Sequence, residues 1–393
     1  MYDFETLLNR RSTGSLKWEG MDEVLAIEEG IAPFHTSDLD MKNPPELIDG
    51  LLEYIAQDGC FGYTGAQESY YRAVINWMKD RHDWDIKKEW IVNHSGSMPA
   101  IYNTIREFSD KDDGVIVFTP VYHNFFRAIN NTERKLIDCP LKIVDGQYRI
   151  DYDLFSKLAG EVKNKILIFC SPHNPIGRVW LEEELKKLLK ICRENDILVI
   201  SDEIHADLVQ PGHKHNVLAK LNENDEVKIV TCTSSSKAFN VGGLQIAAII
   251  VSDPSIRERV ILAQQKSGVS LNNSLCFKVS ELVFNNCRPW LAALNSHIGE
   301  NYRQLTAYLK ENLPAVIVYP LEATYLAWLD FGELGIPREE LYDLIVKRAR
   351  VYVDYGKNFG SQCEGYARMN IGCPTKTMLE ALERINSEIH KII

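Results

Sequence analysis

The sequence predicts an α/β chain: a mostly parallel central sheet with helices on both faces, and a smaller α+β domain. Three observations predict it. Between residues 90 and 251, short and wholly apolar runs alternate with helical stretches, the pattern of a parallel sheet covered on both sides. After about residue 254 the character changes, with long helical patterns first and strand-like runs later. The length of 393 residues exceeds one typical core, so two domains are expected. The expected division gives a large domain at 45–288 and a small one at 1–44 with 289–393.

Taken in order, residues 1–44 read as irregular and rich in Asp, Glu and turn residues. A helix is expected from Pro45, because Leu47, Leu51, Leu52 and Ile55 recur at helical spacing. Cys60-Phe-Gly-Tyr-Thr-Gly65 is a glycine-punctuated loop, and a helix follows through Tyr71, Val74, Ile75 and Met78. Strands are expected at 90–93, 115–119, 165–170, 197–201, 228–233 and 246–251. Helices near 98–108, 122–130 and 181–194 separate most of them. Further helical patterns run through 254–266, 273–285 and 290–312. Strand-like runs at 315–318 and 324–330 precede a helix near 338–348, then 351–353 and 367–371.

Composition narrows the function. The chain is 45% hydrophobic and 25% charged, ordinary for a globular protein. A net charge of −11 argues against nucleic acid as a partner, since phosphate backbones need a basic surface. No two of the nine cysteines lie closer than ten positions, which excludes CxxC motifs and looks unlike a disulfide scaffold. Cys170, Cys192 and Cys232 sit in apolar runs and read as small core residues. The start, Met1-Tyr-Asp-Phe-Glu-Thr, lacks a basic stretch followed by an apolar one. No apolar run approaches the roughly 20 residues that span a bilayer. A reduced cytoplasm is the expected location.

In open α/β sheets, ligands bind at the carboxyl ends of the strands, so the residues after each expected strand carry the functional reading. The central stretch is Thr233-Ser-Ser-Ser-Lys-Ala-Phe-Asn240. A lysine between two buried strands is costly unless it is paired or used covalently, and a Schiff base with a carbonyl cofactor is one such use. A strand–turn–strand with a solvated lysine is the plainer alternative. After 91–93 comes His94-Ser-Gly-Ser-Met-Pro-Ala100, whose small residues at a helix start suit a phosphate on backbone N–H groups. It is not the GxGxxG of a dinucleotide site. Tyr122 follows the next strand, as core or as a ring stacker. Asn174 follows the third, before Pro175, as a turn residue or a hydrogen-bonding group. Asp202 ends the fourth, as a helix cap or as the partner of a cationic ring nitrogen. Together these five strand ends supply what pyridoxal phosphate requires.

The sequence resembles the fold-type I pyridoxal-phosphate enzymes of the aspartate aminotransferase superfamily, and within it the cystalysin and MalY/PatB-type cystathionine β-lyase branch. The markers are Ser37-Asp-Leu-Asp-Met-Lys-Asn-Pro-Pro45, Phe61-Gly-Tyr-Thr-Gly65, Ser171-Pro-His-Asn-Pro175, Ser201-Asp-Glu-Ile-His205, Ser236-Lys-Ala-Phe-Asn240, Glu322-Ala-Thr-Tyr-Leu-Ala-Trp-Leu-Asp330 and Ala367-Arg-Met-Asn370. The resemblance implies that Lys237 carries pyridoxal 5'-phosphate covalently and that Asp202 pairs with its ring nitrogen. It further implies that Asn174 bonds the phenolic oxygen, that Tyr122 stacks on the ring, and that Ser234, Ser236, Ser97 and Met98 hold the phosphate. Tyr63 resembles the tyrosine that reaches the other subunit's phosphate, which implies a homodimer. Arg368 matches the arginine that clamps the substrate α-carboxylate.

Two positions depart from standard aminotransferases and agree with the lyase branch. Gln245 stands where many have a phosphate-binding arginine, and His205 where many have a tyrosine. His205 reads either as cofactor-binding and catalytic or as structural. One segment departs from the lyase branch itself. His35-Thr-Ser-Asp-Leu-Asp-Met41 replaces its Trp-Val-Ala-Asp-Met-Asp-Phe, which alters the mouth of the site. Glu203 reads as structural, and His213 and His215 as solvated, with no metal partners at ligand spacing. The expected activity is α,β-elimination from cystathionine, cysteine or S-substituted cysteines. The alternatives are an aminotransferase with the same cofactor and a non-catalytic regulatory protein on the same fold.

Overall fold

The structure is a computed structural model that describes residues 2–22, 31–269 and 271–392. Its centre is a seven-stranded sheet. Strands β1 (Ile91–His94), β2 (Gly114–Val117) and β3 (Lys135–Asp138) come first. A separate hairpin of β4 (Lys142–Val144) and β5 (Gln147–Arg149) comes next. Strands β6 (Asn164–Cys170), β7 (Leu198–Asp202), β8 (Ile229–Thr233) and β9 (Ala247–Ile250) complete the sheet in the order β1-β9-β8-β7-β6-β2-β3. All pairs from β3 to β8 are parallel. Strand β9 is antiparallel to both β8 and β1, so β1 runs the same way as β8. Strands β2, β7 and β9 are buried at every position, which is why they read as continuous apolar runs.

The alternation of side chains along β6 shows how the two faces are filled. Ile166 and Ile168 join a core with Val115, Ile101 and Phe125, under helices Ser97–Phe108, Asn124–Asn131 and Pro254–Lys266. Leu167 and Phe169 join Phe155, Leu185 and Leu188 under helices Tyr152–Ala159 and Glu182–Glu194 on the other face. Edge strand β3 carries Lys135 and Asp138 at its ends and is mostly exposed, so no apolar run announced it. The hairpin, also largely exposed, was missed for the same reason.

The 25-residue helix Arg288–Asn312 leads to a four-stranded antiparallel sheet. It is made of β10 (Ile317–Val318), β11 (Leu326–Asp330), β12 (Asp354–Tyr355) and β13 (Tyr366–Asn370), in the order β10-β11-β13-β12. A continuous apolar cluster joins the two parts. It runs from Trp77, stacked on Phe284 at 4.9 Å, through Phe239 and Trp290 to Leu294 and Leu382.

Three expectations need correction. Residues 1–44 are not all irregular: Leu16–Asp22 is helical, while Met1 and residues 23–30 of that stretch lie outside the described residues. The 351–353 run is not a strand; the pairing starts at Asp354, opposite Arg368. The helix near 338–348 is α only over Arg338–Tyr342 and then widens to a π-type turn over Asp343–Arg348.

One irregular segment, residues 35–41, crosses the site like a strap. Lys17 and Trp18 anchor it from below through the buried Asp40 carboxylate, at 2.6 and 2.8 Å. Asn240, in the left-handed region at φ 54°, bonds both the N–H and the carbonyl of Leu39. Gly372 lets the strap lie close, since a Cβ there would come within 2.4 Å of Leu39 Cδ2.

Candidate active site

Because β1, β2, β6, β7 and β8 share one direction, the residues just beyond them collect along one edge of the sheet. Across that edge stand Ser97 and Met98 after β1, then Ser234, Ser236 and Lys237 after β8, Asp202 at the end of β7, Asn174 after β6 and Tyr122 after β2. The small sheet supplies Arg368 from β13 on the opposite side.

Lys237 points at the strap, and its Nζ donates to the carbonyl of Ser37 at 2.8 Å. Burial lowers its pKa; the Asp38 carboxylate opposes that, Arg368 adds to it, and Asp202 opposes it again. Asp202 is 3% exposed. Burial raises its carboxyl to about 7, against a backbone N–H from Ile204 at 3.4 Å and the charge of Lys237. A buried carboxylate with one long hydrogen bond is a poorly satisfied acceptor. It suits a cationic partner supplied from outside the chain.

Arg368 is almost fully buried and lies over the Phe359 ring at 4.8 Å. Its Nη1 donates to Asn174 Oδ1 at 2.9 Å, and its Nη2 to the carbonyl of His35 at 2.7 Å and to the Asp354 carboxylate. Asn370, two residues on and on the same face of β13, donates to the carbonyls of Thr36 and Asp38 at 2.7 and 2.8 Å. Four successive carbonyls of the strap, 35 to 38, thus receive donors from site side chains.

Tyr122 packs edge-on against Phe125 and accepts from Asn124. Burial raises its phenol above the ordinary range, so it keeps its proton. Ser234 Oγ donates to the carbonyl of Ile246 at 2.6 Å and accepts from the Ser236 hydroxyl at 2.9 Å. Helix Ser97–Phe108 starts behind Gly96, at φ 119°, with no side-chain cap. Its first N–H groups, Ser97 and Met98 among them, lack intrahelical partners and suit an anion. Gln245 is exposed.

His205 is buried, its Nδ1 has no partner, and burial holds its pKa down at about 3. It is a neutral imidazole beside Lys237 and Tyr325. Tyr63 is 97% exposed. Glu203 is structural, as expected: it accepts from Ser201 at 2.8 Å and pairs with His215 at 2.7 Å. His215 is therefore buried, not solvated; His213 is exposed. Among the described residues no cluster could hold a metal. Sequence reasoning missed Asp354, Phe359 and the strap carbonyls.

The chain matches the aminotransferase class I and II family over residues 33–385. It belongs to that family. Cystathionine beta-lyase PatB of Bacillus subtilis (strain 168) is 34% identical over 98% of this chain and 100% of its own length. The crystal structure of cystalysin from Treponema denticola, which contains pyridoxal 5'-phosphate, superposes with a TM-score of 0.98 at 39% identity, covering 100% of both chains. A pyridoxal-phosphate-bound C-S lyase from Staphylococcus hominis gives 0.92 at 31%, covering 99% of this chain and 98% of that one. The fold is that of the fold-type I pyridoxal-phosphate enzymes, and the family depends on that cofactor. The residues present fit it: a poorly satisfied buried carboxylate, a half-buried lysine whose charge acts on it, an orphaned imidazole nitrogen and an uncapped helix start all face one edge.

Proposed function

We propose that the protein is a pyridoxal-phosphate-dependent carbon–sulfur β-lyase acting on L-cystathionine, L-cysteine or other S-substituted cysteines. The observation that carries this reading is the Lys237–Asp202 pair at the sheet edge facing Arg368 across the site. When bound, the cofactor supplies an electron sink for the pair left on Cα.

The chain's own groups do the rest. Lys237 anchors the cofactor, and its Nζ, when free, accepts the Cα proton; burial favours the neutral amine that this requires. The Ser37 carbonyl receives the ammonium that results. Asp202 holds a protonated ring nitrogen, and Asn174 the phenolic oxygen. Tyr122 packs on the ring, and His205 lies beside it as a neutral imidazole. Ser97, Met98, Ser234 and Ser236 hold the phosphate. Arg368 forks onto the α-carboxylate with its planar donors. The Cα–H and Cβ–S bonds break, a Cα=Cβ bond forms and a thiolate leaves. The 2-aminoacrylate product hydrolyses to pyruvate and ammonia.

The assembly that fits is a homodimer in which Tyr63 reaches the partner's phosphate. Its support is the exposure of three large apolar or aromatic residues of this stretch, Tyr63 at 97%, Leu52 at 62% and Phe61 at 58%. A reducing, cytoplasmic setting suits nine free cysteines. The two sheets suit domains at 45–288 and at 1–44 with 289–393. The test is pyruvate and thiol release by the cofactor-loaded protein from L-cystathionine, L-cysteine and S-methyl-L-cysteine: steady release from any of them supports the reading, and its absence from all three overturns it.

A further inference from the structure

Arg368 has five N–H donors, and a carboxylate fork needs two adjacent ones, either Nη1 with Nη2 or Nε with Nη2. Both forks use Nη2. Here Nη2 already gives one bond to the carbonyl of His35 and one to Asp354, while Nε is buried with no partner. One of the two acceptors must therefore yield before a substrate carboxylate can be gripped at both ends. The His35 carbonyl belongs to the strap, which Asn370, Asn240 and the Lys17–Asp40 pair hold in place. Asp354 stands on β12, an edge strand of two residues directly opposite Arg368, and its side chain is 14% exposed. It also offers the same group as the substrate, a carboxylate. The imidazoles nearby do not replace Arg368 as its counter-charge, because burial keeps His35 and His123 neutral.

We propose that Asp354 is an internal surrogate for the substrate's α-carboxylate: it occupies one arm of the Arg368 fork and gives it up to an incoming α-amino acid. Asp354 is thus a specificity-determining residue, which sets how tightly any free α-amino acid binds. The proposal rests on Arg368 being the carboxylate clamp.

The experiment titrates the cofactor-loaded protein with L-alanine, which has no β-leaving group, and with L-alaninamide, which lacks the carboxylate. The readout is the dissociation constant from the change in cofactor absorption. Asp354→Asn should bind L-alanine about tenfold more tightly, roughly the gap between a charge-assisted and a neutral competing hydrogen bond. Binding of L-alaninamide should not change. Asp354→Ser, which removes the carboxylate differently, should move the same way. Weaker or unchanged L-alanine binding in both variants overturns the proposal and leaves Asp354 as a prop for Arg368. Arg368→Gln tests the underlying clamp separately: it should erase the preference for L-alanine over its amide. A preference that survives Arg368→Gln overturns the clamp itself, whatever the Asp354 variants do.

Discussion

Along the carboxyl edge of the seven-stranded sheet, the groups that face the site are mostly side chains: Lys237, Asp202, Asn174 and Tyr122. On the opposite wall, the strap presents its backbone, with carbonyls 35 to 38 accepting from Arg368, Asn370 and Lys237. On the proposed reading the first wall would set which bonds can break, because its groups hold charge and protons, and the second what can enter, because its carbonyls position Arg368. Substitutions on the sheet edge should therefore act on kcat, and those on the strap side on KM and substrate choice.

The largest effect is expected at Lys237. Lys237→Ala removes anchor and proton acceptor together and should abolish turnover with the fold intact, checked by circular dichroism beside the rate. Measurable turnover would place the base elsewhere. Asp202→Asn comes next, costing at least about 100-fold in kcat, the low end for a positioned electrostatic group. The same variant has a second readout in cofactor-free protein. Folding raises the Asp202 carboxyl from the ordinary carboxylate range to about 7. A raised folded-state pKa contributes stability that is full below about pH 4 and lost as pH climbs through 7. Cofactor-free Asp202→Asn should match the wild type's stability near pH 4 and exceed it at pH 8 by up to about 4 kcal/mol of unfolding free energy, read from denaturant melts at the two pH values.

The strap side should break differently. Arg368→Ala should lower kcat/KM by about 30- to 5000-fold, the range for a lost desolvated charge pair. The loss should be similar for cystathionine and cysteine, since both present the same carboxylate. A variant crippled on one substrate and normal on the other would assign Arg368 to the side chain instead. The smallest effect is expected at His35, whose ring packs on Tyr352 at 4.3 Å. His35→Ala should change the ratio of rates on the two substrates by a few-fold while abolishing neither, as steady-state kinetics would show. An unchanged ratio would remove the strap from substrate choice.

The same contrast explains what the sequence revealed. The sheet-edge residues were legible because parallel strands must bring their carboxyl ends together, so position after a strand is position in the site. The strap was not, because a carbonyl acceptor leaves no trace in residue identity. Asp354 was hidden by the shortness of β12: two residues make no pattern, and its bond to Arg368 depends on a register 14 residues apart. His215 was misjudged because Pro211-Gly-His-Lys-His215 looks solvated. Its burial depends on Glu203, a partner 12 residues earlier.

Elimination and transamination share every group named here up to loss of the Cα proton, and they part only after that step. Counting pyruvate released per protomer from L-cystathionine, in solution free of any 2-oxo acid acceptor, separates them most directly. A lyase releases pyruvate, ammonia and homocysteine in equal amounts over many turnovers. One equivalent or less of the intact substrate's 2-oxo acid per protomer, with no pyruvate, would contradict the account.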